Sequence, residues 1–200
     1  MNYPHFVIAR LYEHIEPIDR GNRYEDPLQA RLDETDAGRV TGGGSQLNDS
    51  GTIEHVDLEI ELANLDGAVG TVCASLEQSG APKGCELIDG RDSRVLRTFG
   101  THECLAVFLD GVTLPDEVYA DLDFEAVVDA LQAAAGPESF HGFSQGAEET
   151  GLYFFGPNAD DMFERVEPAL RAFPIGQNAR VVLRHGSRGS DSREVRMPRG

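Results

Sequence analysis

The residues of this chain that could do chemistry are few and scattered. The stretch "EPIDRGNRYEDP", Glu16 to Pro27, brings Arg20, Arg23 and Tyr24 to the start of a helix. A helix start carries partial positive charge, so with two arginines it could hold a carboxylate or phosphate. The same stretch contains Glu16, Asp19, Glu25 and Asp26, and the competing reading is a solvated loop in which these acids pair with the arginines. The six histidines, His5, His14, His55, His102, His141 and His185, show neither HxxxH nor HExxH spacing, and no cysteine pair joins them at zinc-ligand intervals. No metal ligand, catalytic residue or cofactor is assigned. His141 is placed either as a general base working with a carboxylate or as a partly exposed histidine making one hydrogen bond. The run Gly42-Gly43-Gly44 in "GRVTGGGSQL" would suit a phosphate cradle only if a helix opened directly after it.

The elements that must position these residues come in two copies. Leu58 and Leu152, Ile60 and Phe154, Asn64 and Asn158, Val72 and Val166, Leu76 and Leu170 are pairs at one constant interval of 94. Upstream the interval becomes 99, pairing Leu28 with Val127 and Leu32 with Leu131. Each copy opens on an apolar run, "HFVIARLY" or "CLAVFL", and continues into a helix carrying those leucines and valines. Two strands follow; in the first copy Val56, Leu58, Ile60 and Leu62 alternate with His55, Asp57, Glu59 and Glu61. Asn64 and Asn158 then cap a second helix, and a last strand, "CELI" or "ARVVL", completes the unit. The order β-α-β-β-α-β, twice, is that of tandem ferredoxin-like units in an α+β fold, with sheet order 4-1-3-2 and strand two at an edge. The expected bounds are residues 1–91, 101–187 and a basic tail 188–200, with a break near Arg91 to Thr101. In that frame the glycine run lies in an edge strand that bulges or admits a close neighbour, since a hairpin and not a helix follows it.

With helices on one face of each sheet, the other face must carry its own residues. The first copy puts His55, Asp57, Glu59 and Glu61 there, and the second puts Tyr153, Phe155 and Phe108 there. Exposed rings on a central strand are how RNA-recognition modules stack bases. "TGLYFF" lacks the basic start of that signature, however, and the net charge of -18 repels phosphates, so no nucleic-acid partner is expected. An apolar face of this size is expected to bury against the other half or to make a homodimer. No apolar run reaches the roughly 20 residues of a membrane span, and no leader pattern opens the chain. Cys73, Cys85 and Cys104 form no CxxC pair, which with the missing leader points to a reducing, cytoplasmic setting. Charge is uneven: the last 21 residues, from Arg180, hold six arginines against Asp191 and Glu194. Its tail, "GSRGSDSREVRMPRG", is expected to be a mobile terminus or an added short strand leaning on the acidic body, or else a basic handle for an acidic partner.

The phrases "PIDRGNRYEDPL", "GRVTGGGSQL", "APKGCELI", "LPDEVYAD" and "ETGLYFFGP" together resemble an uncharacterised family of bacterial proteins of about this length. The resemblance implies a bacterial origin and brings no activity, ligand or catalytic residue. The residues themselves favour an acidic, non-catalytic interaction protein that recognises a basic protein partner, as an immunity protein recognises its toxin. The alternative is a small-anion sensor or enzyme built on the Arg20 and Arg23 loop.

Overall fold

The computed structural model describes residues 3–49, 51–187 and 192–198. Its chain divides into two compact units, Met1–His102 and Glu103–Gly200. The first runs β1 (His5–Leu11), α1 (Pro17–Arg20), a π-helical turn (Gly21–Glu25), α2 (Asp26–Asp33), β2 (Gly38–Leu47), β3 (Ile53–Leu62), α3 (Leu65–Gln78), β4 (Cys85–Asp89) and β5 (Val95–Phe99). Its antiparallel sheet has the order β2-β3-β1-β4-β5. Val7, Ala9 and Leu11 of β1 and Val56, Leu58, Ile60 and Leu62 of β3 form one core with Leu28, Leu32, Val72, Cys73 and Leu76 of the helices. The alternation along β3 thus puts its apolar half under the helices. The helical run from Pro17 to Asp33 widens at the π turn, where the Asp26 N–H reaches back to Gly21 O. Pro27 accounts for the widening: it has no N–H to offer, and its ring crowds the carbonyl four residues earlier.

The second unit runs β6 (Glu103–Asp110), α4 (Asp116–Ala120), α5 (Phe124–Ala135), β7 (Phe140–Gln145), β8 (Glu149–Gly156), α6 (Ala159–Arg171), a 3-10 turn (Pro174–Gly176), β9 (Arg180–Arg184) and β10 (Ser192–Arg196). Its sheet order is β10-β9-β6-β8-β7. Leu105, Val107, Leu152, Phe154, Val181 and Leu183 meet Val127, Leu131, Phe163, Val166 and Leu170 in its core. Both expected asparagine caps are formed, Asn64 Oδ1 accepting from Gly67 N at 2.9 Å and Asn158 Oδ1 from Asp161 N at 3.0 Å, and Asp123 Oδ1 caps α5 in the same way, accepting from Ala126 N at 3.0 Å. The buried Glu103 carboxylate also accepts the Ala159 N–H at 2.7 Å, placing a negative charge at the start of α6.

Within each sheet, four strands keep the 4-1-3-2 order of the ferredoxin-like unit, as β4-β1-β3-β2 and β9-β6-β8-β7. Each unit adds a fifth strand beside its strand four. This corrects the expected division, because Arg91 to Thr101 is no linker: β5 lies inside it and pairs with β4 from Cys85↔Phe99 to Ile88↔Val95. Phe99 is buried and Leu96 packs on the core, so the segment contributes apolar surface to the first unit. In the C-terminal tail, Ser192–Arg196 pairs with β9 as an added strand; residues 188–191 and 199–200 lie outside the described residues. The glycine run sits in edge strand β2, whose register slips between Val40 and Gly42. A Cβ on Gly43 would lie 2.5 Å from Asp57 O and 3.1 Å from the Arg20 guanidinium, so only glycine lets those groups come so close.

Candidate functional site

Three regions carry the residues expected to matter, beginning with the π turn. Arg20 is 7% exposed, and its Nε donates to Glu25 Oε1 at 2.7 Å. Tyr24 is fully buried, and Arg23 is half-buried in the same turn. Burial lifts the Tyr24 phenol well above its ordinary range, and the buried carboxylate of Glu13 adds to the effect. The structure therefore brings Arg20 and Tyr24 to the first unit's interior instead of leaving them on a solvated loop. Arg20 already has its counter-charge, and the ring of Tyr24 fills space. The solvated-loop reading had the right partner for Arg20, Glu25, but placed the pair in water.

The second region is the aromatic face of the second sheet, which was expected to be covered by the other half or by a second copy of the chain. Tyr153 is 8% and Phe155 4% exposed, so both rings are withdrawn from water. His141 is likewise buried, its ring 4.6 Å from that of Phe155, which excludes the partly exposed histidine expected there. Phe108 is half-buried, edge-on to Tyr153 at 6.1 Å, with the Arg180 guanidinium 4.0 Å above it. Apolar rings on a strand face are too costly to leave in water, and these are withdrawn from it within the chain. The Tyr153 hydroxyl keeps a partner in Ser144 Oγ at 2.9 Å. Ser144 also stands at the centre of the letters GFSQG, Gly142 to Gly146, which spell a GxSxG pattern. It lies within β7, which runs into a hairpin with β8, whereas a nucleophile elbow needs a strand turning into a helix. The acidic stripe on β3 is partly met by its neighbours: Arg10 grips Asp57 through Nε and Nη2 at 2.9 and 2.8 Å, and Arg39 bonds Glu61 at 2.7 Å.

The third region was not singled out from the sequence. Between α4, the start of α5 and the 3-10 turn, the second unit holds a cleft of about 360 Å³. Val127 and Ile175 form its floor, and Val118, Leu122, Phe173 and Pro174 its walls. Glu117, Asp121 and Asp123 stand on its rim, all three exposed. The duplication explains why the space exists. The interval of 99 that aligns Leu28 with Val127 carries Tyr24 onto Asp123. In the first unit the helix passes through as a π turn and Tyr24 turns inward. In the second the helix stops at Ala120 and restarts at Phe124, with Asp123 spent as the N-cap of α5.

The outer helical surface around the cleft is acidic. From Thr98 to Glu164 the chain has no lysine or arginine and 14 of its 35 acidic residues. Glu125 and Asp129 stand exposed on α5, and Asp161 and Glu164 on α6. The next cation, Arg165, is turned onto the C-terminal carbonyls of α5, donating to Ala134 O at 3.0 Å and Ala135 O at 2.8 Å. The absence of cations was a readable signal in the sequence; the cleft was not.

No protein-family profile matches the chain, and no curated protein does. Among solved structures it is similar to a protein from Galdieria sulphuraria, at 13% identity over 96% of this chain and 98% of that one, with a TM-score of 0.32. It is also similar to the regulatory subunit of aspartate kinase from Thermus flavus, at 14% identity over 84% of this chain and 94% of that one, with a TM-score of 0.28. At these scores neither likeness bears on what the chain does. No described helix is long and apolar enough to cross a membrane.

Proposed function

We propose that this chain is a non-catalytic acidic binding protein that takes a basic protein surface onto the helical layer of its second unit. The observation that carries the reading is the cation-free stretch from Thr98 to Glu164, whose exposed acids on α5 and on the first turns of α6 make a strongly negative surface. Such a surface steers an oppositely charged partner and penalises like-charged ones, so it provides selectivity without a reactive group. The Arg20 cluster supports no second reading, because an incoming anion would have to displace Glu25 from a buried arginine.

The test is capture from the native cell lysate by the immobilised full chain, at about 50 mM and about 500 mM salt, where the screening length shrinks from about 14 to about 4 Å. The partner surface is expected to be basic, held at low salt and released at high salt. It should also be lost from a Glu125→Gln, Asp129→Lys, Glu164→Lys variant of unchanged circular dichroism. Capture indifferent both to salt and to those substitutions would remove the proposal.

A further inference from the structure

We infer that the cleft of the second unit is a binding site for a small amphipathic cation, an ammonium or guanidinium group on a compact apolar body. The inference goes beyond the protein-partner reading and does not rest on it. The volume of about 360 Å³ falls in the range of small-ligand pockets, roughly 300–1,000 Å³. Val127 and Ile175 give a floor that no charged group could occupy without loss of hydration, so the deep part of a ligand must be apolar. The rim sets the other end. Glu117, Asp121 and Asp123 all line the opening, and among the described residues no basic side chain does. The start of α5 contributes about half a positive charge, which would favour an anion, but the Asp123 carboxylate sits on that terminus as its cap. Three carboxylates against half a charge leave the opening negative. Phe173 adds an aromatic ring to the lining, and aromatic rings are side chains that attract cationic heads. The first unit has no use for such a site, since at the same place in its repeat the Tyr24 ring is packed into the core.

The experiment uses three probes of one shape and different charge: 2-phenylethylammonium, 2-phenylethanol and 3-phenylpropanoate. Each is titrated into the full chain at about 20 mM ionic strength and followed by amide chemical shifts. The ammonium is expected to saturate shifts on α4, α5 and the 3-10 turn and to bind about ten-fold or more tighter than the alcohol, with the carboxylate weaker than both. Raising the salt to about 0.5 M should shrink the ammonium's advantage to within about three-fold. In a Glu117→Gln, Asp121→Asn variant, both changes being on exposed side chains, the ammonium should fall to the level of the alcohol while the alcohol is unaffected. A Val118→Trp variant, filling the mouth, should lose both. The inference is overturned if no probe saturates by about 10 mM, if the alcohol matches the ammonium in the unaltered chain, or if the rim variant keeps the ten-fold preference. Because α5 and α6 keep their acids in the rim variant, its capture of a basic protein should persist, which separates this result from the fate of the partner proposal.

Discussion

Replacing Tyr24 tests whether the π turn is a packing device of the first unit. The ring is wholly buried in the core that also holds Leu28, Leu32 and Leu76. A tyrosine buries about 150–250 Å², and at about 25 cal/mol per Å² that is worth roughly 4–6 kcal/mol before the residual methyl of alanine is credited. Measured aromatic-to-alanine losses in cores, about 3–5 kcal/mol, agree. Tyr24→Ala should therefore cost about 3–5 kcal/mol, a large share of the roughly 5–15 kcal/mol that holds a domain together. Tyr24→Phe keeps the ring and removes only the hydroxyl beside Glu13, so it should change stability by about 1 kcal/mol or less. Urea unfolding followed by circular dichroism reads both: the midpoint of the alanine variant should fall by more than 1 M with an unchanged slope, while the phenylalanine variant stays close to the parent. Should Tyr24→Ala cost under about 1 kcal/mol, the ring is not the plug described and the contrast with Asp123 loses its meaning. If instead the alanine variant does not fold, the phenylalanine variant still decides whether the ring or the hydroxyl matters.

Three further outcomes are expected. Burial pushes the Cys73 thiol up to about 11 and raises that of Cys85 as well, so both stay protonated at pH 8. A thiol reagent should leave them untouched in the folded chain and find all three cysteines once it is unfolded; rapid native reaction of both would contradict the burial. Desolvation pushes the Asp110 carboxyl up, but bonds from Thr113 Oγ1, the N–H groups of Val112 and Thr113 and the Asn178 amide together hold it below the usual range. A lowered folded value means stability present above the unfolded value and lost as the pH falls below about 4. Asp110→Asn should thus destabilise at pH 7, with the gap to the parent closing toward pH 2; a gap constant across that range would refute it. Finally, Asn64→Ala and Asn158→Ala should each cost about 1 kcal/mol, measured by thermal unfolding, because each removes one acceptor from an N-terminal N–H of a helix.

Much of the architecture was legible in the sequence, for a local reason. The pairs Leu58 and Leu152, Val72 and Val166, and Asn64 and Asn158 recur at one interval, and each strand or cap is decided by residues within a few positions of itself. That reasoning delivered the doubled β-α-β-β-α-β order, the central β1 and β6, the two asparagine caps and the glycine run as edge strand instead of phosphate loop. It missed β5, because a short edge strand with an arginine and a threonine among its five residues carries weak alternation, and for β10 it left a mobile terminus as the alternative to an added strand.

The candidate sites followed the opposite rule. Sequence placed Tyr153, Phe155 and Phe108 on one face and expected that face to be covered, but what covers it depends on residues far away in the chain. It put Arg20 and Tyr24 on a loop, and Pro27 folded that loop into a helical turn facing inward. The cleft is the clearest case. It is the volume that residues 117–127 and 173–175 fail to fill between them, and no periodicity within either segment records it. Element types and their order were set by local spacing, whereas cavity, burial and charge pairing were decided only when distant segments packed together.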